Sequence, residues 1–161
     1  MKSGFLILET LISVVLLGII VVSIFPTLNF MLMRVKRSSF DAQASQLLQE
    51  GTEISQNVLF SGWDNYYTGV TYHPVLNLAE NIWELEPGPE SGIEGKFDRS
   101  IELISVCRIP NNPSAYTTGD CLNSYVLDPF SLVVRTTVSW PESGRIEKIQ
   151  SNLLLTSRIS D

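Results

Sequence analysis

The residue with the clearest chemical significance is Glu9, a carboxylate that stands alone in an apolar run. The run extends from Phe5 to Met33, and Glu9 is its one formally charged residue. An ionisable group in hydrocarbon costs about 2.5–3.5 kcal/mol even on lenient insertion scales, so such a residue is a functional candidate by default. We therefore expect Glu9 to meet a partner charge in an apolar environment.

Two cysteines, Cys107 and Cys121, are the next residues that could do chemistry. Thirteen residues lie between them, and the chain has no other cysteine. A disulfide that closes a loop of this size is worth about 3 kcal/mol in the entropy model. An even number of cysteines in a membrane-tethered domain favours a disulfide and an oxidising compartment, with two unpaired buried thiols as the alternative.

Candidates for a metal site or an enzyme are weak. Zinc needs three or four ligands, and His73 is the single histidine, so we expect neither a metal nor a cofactor. The chain has no Gly-x-Ser-x-Gly, Walker or dinucleotide-binding glycine motif, and we expect no enzymatic activity. Glu84 and Glu86 share one face of a predicted strand, and we favour the interpretation that they are solvated charges over a functional role.

Two further groups have structural explanations that we favour over functional ones. One group could contribute to a calcium site, although its spacing matches no EF-hand; it consists of Asp120, Asn123 and Asp128. The other group could form an adhesive aromatic patch, but packing in the core and the loops is favoured; it consists of Trp63, Tyr66, Tyr67 and Tyr72.

The apolar run around Glu9 is long enough to cross a membrane. It has 29 residues, and about 20 suffice to span the hydrocarbon core. It is longer than the apolar region of a secretory signal peptide, and no small-residue cleavage site closes it, so we expect it to be retained. Arg34, Lys36 and Arg37 follow it and are expected to contact lipid headgroups.

The helical pattern continues to about Phe60. Apolar residues recur at helical spacing with polar residues between them, which is typical of an amphipathic helix with one packed face. We predict one helix from about Phe5 to about Phe60, weakened at Gly51. A kink or a locally melted stretch is expected around Ser23–Pro26, because proline removes a helical hydrogen bond. The apolar residues are Phe40, Ala44, Leu47, Leu48, Ile54 and Val58.

The part of the chain after Arg37 is acidic and has the pattern of a β-sheet domain. It holds seven basic and sixteen acidic residues, a net charge of −9, which argues against a nucleic-acid-binding surface. Alternating and β-branched runs with short turns predict antiparallel hairpins. The predicted strands are about Gly69–Val75, Ile82–Leu85, Phe97–Arg108, Ser131–Trp140 and Arg145–Thr156.

The long helix followed by these strands predicts an α+β fold. A long helix, apolar all round in its lower half and amphipathic in its upper half, would pack on a small antiparallel sheet. One face of the third strand would carry Phe97, Ile101, Leu103 and either Ser105 or Cys107.

The N-terminal residues resemble the class III leader and cleavage site of type IV prepilins and pseudopilins. The segment Lys2-Ser3-Gly4-Phe5-Leu6-Ile7-Leu8-Glu9 has a short basic leader that ends in glycine, then phenylalanine, with glutamate as the fifth residue after the cut. Pro26 falls where many pilins have a helix-bending proline. A softer similarity to bacterial minor pilins covers most of the chain, at Trp63, Gly69–His73, Trp83–Leu85, Phe97–Ile101, Val106–Arg108, Asp128-Pro129, Val138–Trp140 and Leu155-Thr156.

The resemblance implies a pilin-like fold and a structural role as a minor pilin of a type IV pilus. Prepilin peptidase would cut after Gly4 and methylate the new amine of Phe5. Glu9 would pair with such an amine, either its own or that of a neighbouring subunit, and Pro26 would shape the assembling helix. The implied partners are the peptidase, other pilin subunits, the inner-membrane assembly platform and membrane lipids, with no direct nucleic acid.

The resemblance also implies a location and an organisation. The chain would cross the bacterial cytoplasmic membrane once, with its N-terminus in the cytoplasm, and then join an extracellular pilus or a periplasmic pseudopilus. The alternatives are a type II secretion pseudopilin and a membrane-anchored extracytoplasmic binding domain that does not polymerise; an anchored enzyme ranks last. The expected segments are the leader 1–4, the transmembrane or filament-core helix 5–37, the amphipathic helix 38–60, an αβ-loop region 61–96 and the sheet domain 97–161.

Overall fold

The computed structural model describes residues 3–110, 112–122, 125–142 and 144–157, with side chains from Leu8 onward except Pro113. It divides into two units, residues 1–42 and residues 43–161. The elements found in the described residues are one helix and seven strands. They are α1 (Ser3–Phe60), β1 (Thr71–Asn77), β2 (Ile82–Pro87), β3 (Glu90–Ile93), β4 (Phe97–Ile109), β5 (Asn112–Thr118), β6 (Val126–Glu142) and β7 (Arg145–Thr156).

The first unit is helical throughout its described residues, and its surface from Leu8 to Met33 is apolar apart from Glu9 and a few small polar residues. Every side chain from Leu8 to Ser39 is exposed, including the aliphatic ones. An 18-residue window here has a mean hydropathy of 2.7, and α1 is the one helix among the described residues that is long and apolar enough to cross a membrane. The unit therefore has the length and composition of a membrane-spanning segment.

The helix continues without a break through Pro26, so the locally melted stretch predicted around Ser23–Pro26 is wrong. Nearby hydroxyl groups bond to the helix backbone. The Ser23 hydroxyl donates to the Ile20 carbonyl at 2.9 Å, and the Thr27 hydroxyl donates to the Ser23 carbonyl at 3.0 Å. Such bonds satisfy the two hydroxyl groups within the helix itself, so these side chains need no partner outside it. A bend at Pro26 stays a prediction.

In the second unit, the last part of α1 packs one face on the sheet, as the amphipathic pattern predicts. Its fully buried residues are spaced three and four apart, which places them on one side of a helix. Three of them, Ile54, Val58 and Leu59, join one core with residues from β1, β2, β4, β6 and β7. The buried helix residues are Ala44, Gly51, Ile54, Ser55, Val58 and Leu59.

The seven strands form one antiparallel sheet in the described part of the chain. The order along the main path is β2-β1-β4-β6-β7, and β3 and β5 also pair with β4. The strand pairs β1–β2, β4–β6 and β6–β7 confirm the predicted antiparallel hairpins. The short strands β3 and β5 were not predicted from the sequence; β5 forms within the stretch expected to be the loop between the cysteines.

A register shift in β4 decides which side chains reach the core. Phe97, Ile101 and Leu103 are fully buried on one face, as predicted. The register against β6 then shifts between Ser105 and Val106, the signature of a β-bulge. Val106, and not Ser105, continues the buried set, and Cys107 is buried beside it.

A buried arginine joins the helix to the sheet. Arg99 on β4 is 4% exposed. It donates from Nε and Nη2 to one oxygen of Glu90 at 3.0 and 2.7 Å, and from Nη1 to the carbonyl of Leu47 at 3.4 Å. The Glu50 carboxylate lies 3.5 Å from Nη1. The arginine stem crosses α1 at Gly51, where a Cβ would lie 3.1 Å from Arg99 Cδ, so the helix glycine has a packing role.

Candidate functional site

The candidate assembly segment is the beginning of α1. The backbone of Gly4 and Phe5 is helical, and Glu9 follows in the same helix with its side chain exposed. Glu9 lies four positions after Phe5, which is about one turn, or about 6 Å of rise along the axis. Positions four apart share a helix face, so Glu9 lies above the backbone nitrogen of Phe5 on one side of α1.

The Glu9 side chain has no hydrogen-bond or ion-pair partner among the described residues. The Ser13 hydroxyl donates to the backbone carbonyl of Glu9 at 2.9 Å and leaves the carboxylate unengaged. An unpaired carboxylate on an otherwise apolar helix surface is unfavourable in lipid or in packed protein. A positive group near this carboxylate would offset that cost.

The basic residues after the apolar run lie along aromatic side chains of the same helix. The Arg34 guanidinium is 4.6 Å from the centre of the Phe30 ring, and Lys36 Nζ is 5.8 Å from the centre of the Phe40 ring. Both contacts are within the range of cation–π attraction. The headgroup contact of these basic residues stays a prediction.

The two cysteines form a disulfide, so the prediction of a Cys107–Cys121 bond is confirmed and the alternative of two free thiols is wrong. The bond joins the end of β4 to the loop after β5. The same loop is fixed by backbone and side-chain hydrogen bonds, since Gly119 N–H donates to the Ser105 carbonyl at 3.0 Å and the Ser105 hydroxyl donates to the Gly119 carbonyl at 2.9 Å. The disulfide thus stabilises the edge where β5 pairs with β4.

Asp128, one of the possible calcium ligands, is instead an ion-pair partner. Its Oδ2 accepts a short hydrogen bond from Nε of Arg108, and its Oδ1 accepts from the Phe130 N–H at 3.0 Å. Burial raises the pKa of the Asp128 carboxyl. Hydrogen bonds from Ser131, Arg108 and the Phe130 N–H, with the charge of Arg108, outweigh burial, so the pKa lies below its usual value.

The other members of that group are Asp120 and Asn123. Asp120 is exposed, and Asn123 lies outside the described residues. No group of three or more His, Cys, Asp or Glu side chains able to hold a metal ion occurs in the described parts of the chain.

His73, Glu84 and Glu86 belong to the β1–β2 hairpin. His73 Nδ1 lies 3.0 Å from the Gly88 carbonyl, a distance at which an Nδ1–H donates to that oxygen. Glu84 Oε1 accepts from Asn77 Nδ2 at 2.9 Å, and Glu86 is exposed. His73 and Glu84 thus have structural contacts within the hairpin, and exposed Glu86 is the one of the two glutamates that fits the predicted solvated charge.

Most of the aromatic group packs on the core. Tyr72 is 3% exposed, its hydroxyl accepts from the Tyr67 N–H at 2.9 Å, and its ring meets Tyr66 edge to face with 5.6 Å between centres. Trp63 is half-buried against the same core. Tyr67 is the exception, with 75% of its surface exposed. Packing therefore describes three of the four aromatic residues.

One site was missed by the sequence reasoning, a cavity of about 730 Å³ in the second unit. We call it the α1-end cleft, because it lies where the helix ends. The only sequence signal for it is the run of aromatic and acidic residues directly after the helix. Its lining residues are Leu59, Phe60, Gly62, Trp63, Asp64, Pro129, Phe130, Thr156 and Ser157.

Comparison with known proteins identifies no family for this chain. No protein-family model, no curated protein and no solved structure matches the chain.

Proposed function

We propose that this chain is a minor pilin, a structural subunit of a type IV pilus that is matured by prepilin peptidase. The observation that carries the proposal is the position of Glu9, one helical turn after Phe5 on a helix whose surface is apolar from Leu8 to Met33. Membrane anchoring alone does not require a carboxylate at this depth. A subunit that forms a charge pair during assembly does.

The charge pair would be created by maturation. Cleavage after Gly4 leaves Phe5 with a positive amine at the first position of α1. That amine and the Glu9 carboxylate are about one turn apart on the same face, and a carboxylate is also favoured near the positive end of a helix dipole. In an apolar environment each charge alone is costly, and pairing offsets much of that cost. The amine can belong to the same chain or to a neighbouring subunit.

The apolar surface of the first unit suits both states of such a subunit. In the membrane the exposed aliphatic side chains contact lipid, and in a filament they contact the same segments of other subunits. The hydroxyls of Ser13, Ser23 and Thr27 donate to carbonyls of their own helix. These groups therefore need no water in either environment, and the acidic second unit is the part that faces water.

A second candidate is a membrane-anchored binding domain that does not polymerise. The α1-end cleft is the observation that favours it, because a cleft of about 730 Å³ is within the size range of ligand sites. A type II secretion pseudopilin would use the N-terminal segment in the same way as a pilus subunit.

Mass spectrometry of the mature chain tests the proposed maturation. We expect the wild-type chain to begin at an N-methylated Phe5. Gly4→Val should block cleavage and leave the full leader, because the peptidase requires glycine before the cut. The matched control is Gly18→Val, at a helical glycine where an added Cβ meets nothing within 4 Å, and it should be cut normally. A Gly4→Val chain of unchanged mature mass, with intact filaments, would contradict the proposal.

A second experiment tests the role of Glu9 separately from cleavage. Glu9→Gln keeps the shape of the side chain and removes its charge, so we expect normal cleavage and loss of the chain from sheared filaments. Glu9→Asp keeps the charge and should retain part of the incorporation. Equal incorporation of the Gln variant and the wild type would show that the charge has no role in assembly. Absence of the wild-type chain from filaments would favour the anchored binding domain.

A further inference from the structure

The α1-end cleft is built from three segments that meet at the end of the helix. Leu59 is 1% exposed and forms part of its floor. The chain turns sharply after the helix at Gly62, which has a φ of 135° and donates its N–H to the Leu59 carbonyl at 3.1 Å. The opposite wall is fixed by the Ser157 N–H, which donates to the Phe130 carbonyl at 2.8 Å. The cleft is therefore held by backbone hydrogen bonds on both sides.

The electrostatic character of the cleft is negative. Asp64 lines it, is exposed, and has no ion-pair or hydrogen-bond partner among the described residues. The end of a helix carries a partial negative charge, and α1 has no basic residue in its last turn to compensate it. Both features attract a positive group to the same place.

Aromatic rings supply the other walls. Phe60 is 62% exposed and Phe130 is 47% exposed, and half-buried Trp63 also lines the cleft. Phe60 and Phe130 thus place two exposed aromatic rings at one cleft. Aromatic faces beside a carboxylate are the combination that binds cations, because the ring face is electron-rich and the carboxylate adds charge.

We propose that the α1-end cleft binds an arginine or lysine side chain of a partner polypeptide, with Asp64 as the ion-pair partner and Phe60, Trp63 and Phe130 as the aromatic walls. The net charge of −9 after Arg37 favours the approach of a basic partner over long range. This inference does not depend on the proposed pilus function, since an anchored binding domain would use the cleft equally well.

The surroundings favour a polypeptide over a small free amine. A second hollow of about 310 Å³ adjoins the cleft, and the two share Pro129. Val126 and Leu127 line that second hollow and are 58% and 56% exposed. A peptide that places its basic side chain in the cleft can therefore pack an adjacent apolar side chain against Val126 and Leu127.

The test is a titration of the full-length chain in detergent micelles with two blocked peptides. One is acetyl-Gly-Leu-Arg-Gly-amide, and the other carries citrulline, a neutral arginine isostere, in place of arginine. The readout is the chemical shift of the Trp63 indole N–H, assigned with a Trp63→Phe variant. We expect saturable shifts with the arginine peptide, weakened by salt, and an affinity about threefold to tenfold lower for the citrulline peptide.

Two matched variants separate a site from general charge attraction. Asp64→Asn should lower the affinity for the arginine peptide by about threefold to fivefold, while Glu80→Gln, at an exposed acid outside the cleft, should leave it unchanged. Both positions are exposed, and near-ultraviolet circular dichroism verifies that both variants fold. Equal affinity for the two peptides, or equal effects of the two variants, overturns the proposal. Binding that occurs only in an Arg158→Gln variant also overturns it, because the chain's own arginine would then be the occupant.

Discussion

The contact between Gly51 and Arg99 allows a prediction in which two opposing effects can be weighed. The substitution is Gly51→Ala, in the middle of the helical part of the second unit. In an unobstructed helix this change stabilises by about 1 kcal/mol, because alanine has the higher helix propensity. Here, however, the new Cβ would lie 3.1 Å from Arg99 Cδ and 3.1 Å from Thr136 Cγ2.

Neither neighbour is free to move away. The Arg99 guanidinium is fixed by bonds of 2.7 and 3.0 Å to Glu90, and Thr136 is fully buried. Overpacking of a fixed core costs about 1–3 kcal/mol. Subtracting the gain in helix propensity leaves a net loss of about 1 kcal/mol. For a domain of this size the loss corresponds to a decrease of about 4 °C in the midpoint of thermal unfolding.

Thermal unfolding of the full-length chain in micelles measures this change, followed by the near-ultraviolet circular dichroism of buried aromatic residues such as Trp140. The matched control is Gly18→Ala, where nothing lies within 4 Å of the added Cβ, and we expect no shift of the sheet transition. A Thr136→Ser background removes the close contact with the Thr136 methyl group, so Gly51→Ala should cost about 1 kcal/mol less there. If Gly51→Ala raises the midpoint in the wild-type background, the packing argument is refuted.

Three further predictions concern the second unit and are measured by urea unfolding. Replacing Cys107 and Cys121 with serine should lower the unfolding free energy by about 3 kcal/mol, and an unchanged midpoint would show that the disulfide contributes nothing. The pKa of Asp128 is lower in the folded chain than its usual 3.8, so its stabilisation is present above about pH 4 and is lost as the pH falls through the folded pKa; Asp128→Asn should flatten this acid slope, and parallel slopes would contradict it. Glu90→Ala leaves the buried guanidinium of Arg99 with a weaker partner and should cost about 2 kcal/mol, whereas a loss close to zero would indicate that Glu50 replaces it.

The elements with strong periodicity were predictable from the sequence. The period of the apolar positions in 43–60 gives the packed face of α1, and the alternation in 145–156 gives the bounds of β7 exactly as observed. The disulfide followed from the spacing and number of cysteines. Local patterns suffice in these cases because each face of the element meets the same environment, core or solvent, along its whole length.

The parts that were missed depend on contacts between distant residues. Arg99 falls at a core position of β4, and only the approach of Glu90 and the gap at Gly51 make its burial possible. The register shift after Ser105 has no local signature, since it arises from pairing with β6. The α1-end cleft joins segments that are about 70 residues apart in the chain, so no window of sequence contains it. Asp64 and the aromatic residues that line the cleft come close together only in the folded chain.

The position of β7 has a consequence for the behaviour of the chain in concentrated solution. It ends the main path of the sheet, and a strand at such a border offers its free backbone groups to other molecules. The first half of β7 carries the charged residues Arg145, Glu147 and Lys148, which oppose strand pairing between molecules. In the second half, Leu154 lies between two other leucines and is 38% exposed. Because salt screens the protective charges and leaves the leucines unaffected, colloidal stability should decline with ionic strength, beginning from the C-terminal half of this strand.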